Sequence, residues 1–321
     1  MTRYAFFEGE IRPIEQAKVS IMNQTFNYGV GAFAGLRAYW NGDQRQLYVF
    51  RIDDHYRRFL QSASMLFGRL PYSIDELAAI TVELLALEGW QQDCYIRPIF
   101  YKAEDSVGVR LHDTAEGVAI FSTVSGRFVG EKPISIATSS WRRIDDNVIP
   151  ARGKIIGAYV NSALTRSEAQ MNGFDDALVL DQAGHVVESS VANVFMVRNG
   201  ALITPPIYDN ILEGITRRTI IQLAADELEL PVMERSIDRS EIYLADEVFL
   251  CGTGMQVVGV GFIDRRMIAN GEMGPVTRRL HDHYFRIVRG NDPAYMEWVT
   301  PVYRAEAAVQ TERVRELELA R

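Results

Sequence analysis

Cysteine is nearly absent: the 321 residues hold two, Cys94 and Cys251, without CxxC spacing. That excludes a disulfide scaffold and a thiolate metal knuckle, and reduced thiols in the cytosol are the expectation. Long apolar runs are absent too. No stretch approaches the roughly 18 residues of a membrane span, and the opening MTRYAFFEGEIRP is too charged for a signal peptide. The sequence reads as cytoplasmic, with no membrane partner. Positive charge is in deficit, 34 Lys and Arg against 42 Asp and Glu for a formal net charge of -8. This disfavours a broad nucleic-acid surface, so a bound anion has to be small and locally held.

Several chemical motifs are missing as well. His55, His112, His185, His281 and His283 form no HExxH pair. His281 and His283 on a helix would point to different faces, so no metal is expected. No Gly-x-Ser-x-Gly elbow occurs, which disfavours a serine hydrolase. Gly29-Val30-Gly31 with Gly35 has the wrong last spacing for a dinucleotide loop and leads into a strand pattern. Gly153-Lys154 is followed by Ile155, where a P-loop needs Ser or Thr.

What remains is an ordinary globular composition in a chain long enough for two domains sharing a cleft. Strand patterns at Tyr4 to Phe7, Leu36 to Trp40, Leu47 to Phe50, Tyr95 to Tyr101 and Gly117 to Val124 surround helical ones at Asp53 to Phe67 and Ser73 to Glu88. The second helix opens on a Ser73/Glu76 capping box. Residues 1–124 are expected to form a small α+β domain, 125–133 an interdomain loop and 134–321 a large α/β domain. In the latter, strands at Ile134 to Thr138, Ala177 to Leu180, Ser190 to Val197 and Glu247 to Leu250 alternate with helices at Tyr159 to Asn172, Thr216 to Glu227 and Pro275 to Val288. The charged tail Arg304 to Arg321 reads as a solvated helix.

Four short patterns carry chemistry. Lys154 sits among glycines and apolar residues in IPARGKIIG. Burial there would lower its pKa and favour the neutral amine that forms an imine with a carbonyl cofactor, whereas a lysine of the same motif left in solvent would do nothing. Glu188 stands at the mouth of an apolar strand, either as a turn acid or as the partner of a cofactor ring nitrogen. Leu212-Glu213-Gly214-Ile215-Thr216-Arg217 enters a helix whose first N–H groups form an anion site or are merely capped. Cys251-Gly252-Thr253-Gly254 makes a second nest of N–H groups after a strand.

Taken together, and in this order, these motifs resemble the class IV (fold type IV) pyridoxal-phosphate enzymes, most nearly the branched-chain amino acid aminotransferases. The similarity runs from about Tyr4 to about His283 and includes Glu188, Asn193-Val194-Phe195, Leu202-Ile203-Thr204 and Leu212 to Arg217. Phe33-Ala34-Gly35-Leu36-Arg37 and Tyr95-Ile96-Arg97-Pro98 resemble the branched-chain members in particular. The resemblance implies a two-domain α/β (α+β) fold like that of D-amino acid aminotransferase and pyridoxal 5'-phosphate as cofactor. It implies that Lys154 carries the cofactor and moves the proton, that Tyr159 meets the ring oxygen and Glu188 the ring nitrogen. Arg58, Ile215, Thr216 and Thr253 would hold the phosphate. Tyr95, Thr253 and Gly254 would take the substrate α-carboxylate, Arg97 with Tyr28 the distal carboxylate of glutamate, and Phe33 and Val109 the branched side chain, with Arg37 in the same substrate set. The implied partners are an amino donor, a 2-oxo acid and a second copy of the chain, through a loop near Val107 to Val109 or Phe128.

Three positions depart from the family's pattern: Ala34 and Ala192 where glutamates are usual, and Phe128 where a tyrosine is often found. Each removes a polar group near the substrate. They keep an (R)-selective amine or D-amino acid transaminase open as an alternative. A non-catalytic binder of a phosphate ligand is the reading of a different class; it requires an exposed Lys154 far from Glu188.

Overall fold

Short alternating segments make the first layer: β1 (Tyr4–Phe7), β2 (Glu10–Pro13), β3 (Gly31–Phe33), β4 (Leu36–Asn41), β5 (Gln46–Phe50), β6 (Cys94–Lys102) and β7 (Glu116–Val124). Between them lie α1 (Gln24–Tyr28), α2 (Ile52–Met65) and α3 (Ile74–Glu88). The computed structural model describes residues 3–125 and 132–303. The Ser73/Glu76 capping box is present, and Gly89 closes α3 in the left-handed conformation that glycine adopts without a steric penalty. Phe59 of α2 and Leu77, Leu84 and Leu85 of α3 pack with Leu36, Ile96 and Phe100 of the sheet as one core.

The second layer holds β8 (Ile134–Arg142), α4 (Tyr159–Met171), β9 (Asp176–Leu180), β10 (His185–Ser189), β11 (Asn193–Arg198), β12 (Ala201–Thr204) and α5 (Ile215–Asp226). It continues with β13 (Val232–Glu234), β14 (Ile237–Asp238), β15 (Glu247–Gly252), β16 (Gln256–Ile263), β17 (Arg266–Met267) and α6 (Pro275–Val288). Strands β11, β15, β16, β8, β9 and β10 pair in that order, and β10 pairs back to β11, so six strands close into a ring. Ile136, Leu178, Val194, Leu250 and Val258 pack in one cluster of this layer. Helices α5 and α6 pack on the sheet in a separate cluster that also takes in Tyr39, Tyr48 and Phe50 from the first layer. Burial of those aromatics couples the two layers.

Three features differ from the sequence reading. Ser190 to Val197 is not a continuous strand. The Ser189 N–H donates to the Ala192 carbonyl at 2.7 Å, and the Ser189 hydroxyl accepts from the Ala192 N–H at 3.0 Å, so residues 190–192 form a hairpin turn before β11. Strand β16 was not expected, because Gly259 and Gly261 weaken its pattern. A Cβ on Gly261 would lie 2.4 Å from the Gly271 carbonyl oxygen, so a close backbone crossing requires the glycine. Finally β18 (Val299–Pro301) returns to the first sheet and pairs with β5. Phe128 and the tail Arg304 to Arg321 lie outside the described residues.

Candidate active site

Between the layers lies a cavity of about 540 Å³ with contributions from both. Its central amine is fixed by backbone contacts. The segment carrying Lys154 is stitched to the first layer: the Phe33 N–H donates to the Lys154 carbonyl, Ile156 N–H to Gly31 and Gly157 N–H to Gly29. The Lys154 N–H itself donates to the Ser62 hydroxyl on α2 at 3.1 Å. Lys154 Nζ donates to the Tyr159 hydroxyl at 2.6 Å and stands 5.2 Å from the centre of the Phe33 ring. Burial, then the charge of Arg58, lowers this amine to about 7 against the pull of Tyr95 and Glu188. At neutral pH both of its protonation states are populated.

Glu188, near the end of β10, faces the same cavity. Its Oε1 pairs with Arg143 at 2.8 Å. Its Oε2 accepts from the Leu212 N–H at 3.3 Å and from Asn193 Nδ2 at 3.4 Å. Burial raises the carboxyl above the ordinary range, and Arg143, the Leu212 N–H and Lys154 pull it back down. Tyr159, on the first turn of α4, is likewise raised to about 12 by burial and by Glu188, so it stays a neutral hydroxyl.

At the other side of the floor α5 begins at Ile215 without a side-chain cap, leaving its first N–H groups free of intrahelical partners. Gly214 is required there: a Cβ would lie 2.0 Å from Asn193 Oδ1, whose amide Nδ2 donates to the Leu212 carbonyl at 3.0 Å. Arg58 reaches this turn from α2 and donates to the Glu213 carbonyl at 3.0 Å. Its neighbour Arg57 instead pairs with Asp54 on the exposed side. Arg58, Ile215, Thr216 and Thr253 all line the cavity. A half-buried cation facing a bare helix N-terminus is a donor set that fits a phosphate.

The expected substrate residues divide into two groups. Phe33, Tyr95, Arg97, Thr253 and Gly254 line the cavity. Arg97 donates to the Tyr95 hydroxyl at 3.0 Å with its guanidinium 4.2 Å from the Phe33 ring centre. Gly35 gives Tyr95 room, since a Cβ there would lie 2.0 Å from the phenol oxygen. Arg37, by contrast, is buried behind the wall, where it donates to the carbonyls of Gly254 (3.3 Å) and Ser125 (2.6 Å). It braces the turn rather than facing the cavity. Tyr28 and Val109 lie outside the lining of this chain's cavity: the Tyr28 hydroxyl accepts from the Gly108 N–H at 3.3 Å, and Val109 is 74% exposed. Ala192 lines the cavity, whereas Ala34 is buried beside it.

Two arginines were missed. Arg143 follows Arg142 at the end of β8, and only the alternation of a strand, which puts neighbours on opposite faces, distinguishes the inward one. Arg166 on α4 also lines the cavity; its helical spacing of seven from Tyr159 was the available signal.

An activated lysine facing a carboxylate and a phosphate-type cradle defines a class of enzyme, and the comparisons with known proteins agree. Residues 31–263 match the family described as amino-transferase class IV, and the chain belongs to that family. Within it, the chain is 48% identical to the probable branched-chain-amino-acid aminotransferase of Aquifex aeolicus, across 94% of this chain and 97% of that one. The structure superposes on the branched-chain aminotransferase of Thermoproteus uzoniensis with norvaline at a TM-score of 0.91, with 39% identity over 94% of this chain and 100% of the other. It superposes on the pyridoxal-phosphate form of the Thermobaculum terrenum enzyme at a TM-score of 0.90, with 38% identity over 94% and 99%.

Proposed function

We propose that this protein is a pyridoxal-phosphate-dependent branched-chain amino acid aminotransferase, passing the amino group of branched-chain L-amino acids to 2-oxoglutarate. The observation that carries the reading is the Lys154 amine, held near a pKa of 7, hydrogen-bonded to Tyr159 and sharing one cavity with Glu188 and Arg58. Arg58, the N–H groups of Ile215 and Thr216, and Thr253 hold the cofactor phosphate. Glu188, held by Arg143, would meet the ring nitrogen, and Tyr159 the ring oxygen. When bound, the cofactor supplies a sink for the electron pair left on the substrate Cα. Lys154 would anchor the cofactor and, once freed by the incoming amine, would take the substrate Cα proton and give it up again. An amine titrating near the working pH does both steps, as general acid–base transfer requires.

Tyr95 and the Thr253-Gly254 turn receive the α-carboxylate, with Arg37 bracing that turn from behind. Phe33 supplies apolar wall for the side chain, and Arg97 the cation for glutamate's second carboxylate. Tyr28 and Val109 act across a homodimer interface, each completing the partner's cavity. The exposure of Phe26 (70%), Val107 (89%) and Val109 (74%), contiguous around α1 and the 104–109 loop, supports that arrangement. The division into domains at residues 125–133 belongs to the same proposal, with β18 crossing back to the first domain.

Ala192 on the cavity wall favours one secondary reading, a side activity toward less polar donors such as (R)-amines. A donor panel of leucine, valine, D-alanine and (R)-1-phenylethylamine against 2-oxoglutarate tests both readings. Leucine and valine are expected to lead, and the purified protein is expected to show a near-visible absorbance band that borohydride removes. Absence of that band sinks the cofactor assignment; a lead by D-alanine or the amine sinks the substrate assignment.

A further inference from the structure

Among the charged groups lining the cavity, four are basic (Arg58, Arg97, Lys154 and Arg166) and one, Glu188, is acidic. Three of the basic groups have partners: Arg58 on the Glu213 carbonyl, Arg97 on the Tyr95 hydroxyl and Lys154 on the Tyr159 hydroxyl. Glu188 is taken by Arg143. Arg166 makes no hydrogen bond or ion pair among the described residues. The carboxylate that feels its charge, Asp176, bonds instead to the Ser190 hydroxyl and to the Ala177 N–H.

Its place on α4 gives this uncommitted cation a direction. Tyr159, Ser162 and Arg166 follow at spacings of three and four, so they share one stripe of the helix. Seven residues put Arg166 about 10 Å along the axis from Tyr159. Tyr159 marks the reacting end beside Lys154, and Ser162 lines a small side pocket with it. Arg166 therefore stands at the far end of the same wall. A monocarboxylic 2-oxo acid has no group to meet a cation there. A dicarboxylic one does.

We propose that Arg166 is a specificity-determining residue that recognises the second carboxylate of dicarboxylic co-substrates, in addition to Arg97. The inference rests on the transaminase reading of the cavity. A guanidinium suits this task because it stays charged and offers a planar pair of donors to a carboxylate. Partial exposure keeps the gain modest, since solvent screens the pair.

The test compares wild type, Arg166→Gln and Arg166→Lys as purified holoproteins. Calorimetry measures binding of two unreactive ligands, glutarate and 4-methylvalerate, and kcat/KM is measured for 2-oxoglutarate and 4-methyl-2-oxopentanoate. In Arg166→Gln the preference for the dicarboxylate is expected to fall roughly tenfold in both assays, as the loss of one charge-assisted hydrogen bond implies. Arg166→Lys is expected to recover part of it. An unmoved ratio, an equal loss for both ligand classes, or a wild type without preference for glutarate overturns the proposal. A wild type that binds glutarate through Arg166 but transfers no amino group overturns the transaminase reading and leaves the carboxylate site standing.

Discussion

The two ends of the cavity are built differently. The end assigned to the cofactor is drawn from one chain: Lys154, Tyr159, Glu188, Arg58 and the start of α5 line one cavity, with Lys154 bonded to Tyr159, Glu188 to Arg143 and Arg58 to the Glu213 carbonyl. The end assigned to the substrate is partly open. Phe33, Tyr95 and Arg97 line it, but Tyr28 and Val109 lie on the outside of their own chain, and Arg166 stands uncommitted. A reaction shared by many enzymes needs the first arrangement to be rigid, because the proton moves between fixed atoms. Choice of substrate needs the second to be adjustable. The contrast shows where variation can occur without loss of the chemistry.

The comparison is broken most severely at Lys154. Lys154→Ala is expected to lower kcat by at least roughly 10²–10⁴-fold, the worth of a positioned acid–base group, and to abolish the borohydride-sensitive band. Single-turnover absorbance with leucine measures both. A smaller break lies at Arg143. Removing it as Arg143→Gln takes away the leading influence that lowers the Glu188 carboxyl, whose pKa burial already raises. That pKa then climbs further, so the charged form is lost at a higher pH as acid is added. The acid limb of the kcat/KM profile is expected to move upward, and a profile identical to wild type contradicts the role given to the pair. The mildest intervention is dilution. If the substrate end is shared between copies, protein diluted until sedimentation shows monomers is expected to keep its near-visible band while losing turnover. Loss of both together means that the cofactor end also needs the partner.

How much of this was legible in the sequence follows the same division. Lys154, Glu188 and the Gly214 to Thr216 helix start are local motifs, and short segments fix their geometry. Arg58 was readable through the resemblance, by its spacing from Phe50-Arg51, and the structure parts it from its neighbour: Arg57 pairs with Asp54 while Arg58 reaches the Glu213 carbonyl. Arg143 was hidden because its partner lies on another strand, brought near only by the pairing of β8, β9 and β10. Arg37 was assigned to the substrate because it belongs to the Phe33 to Arg37 motif, but in β4 it lies behind the wall and donates to two backbone carbonyls. Strand β16 escaped for a tertiary reason: its glycines answer to a loop that crosses them, not to the strand itself. The capping box of α3, a wholly local device, was read directly.

The return of β18 to the first sheet has a consequence for the order in which the molecule is made. Until Val299–Pro301 emerges, β5 presents a bare row of N–H and C=O groups on a ribosome-bound chain whose preceding layer is otherwise ready to pack. The same late segment brings Trp298, whose carbonyl accepts the Arg51 N–H at 2.7 Å and whose ring lies 3.8 Å from the Arg51 guanidinium. Arg51 immediately precedes α2, the helix that carries Arg58 to the cavity. The setting of α2, and with it Arg58, thus waits on a segment that follows both layers in the chain, and the edge of β5 stays open until that segment arrives.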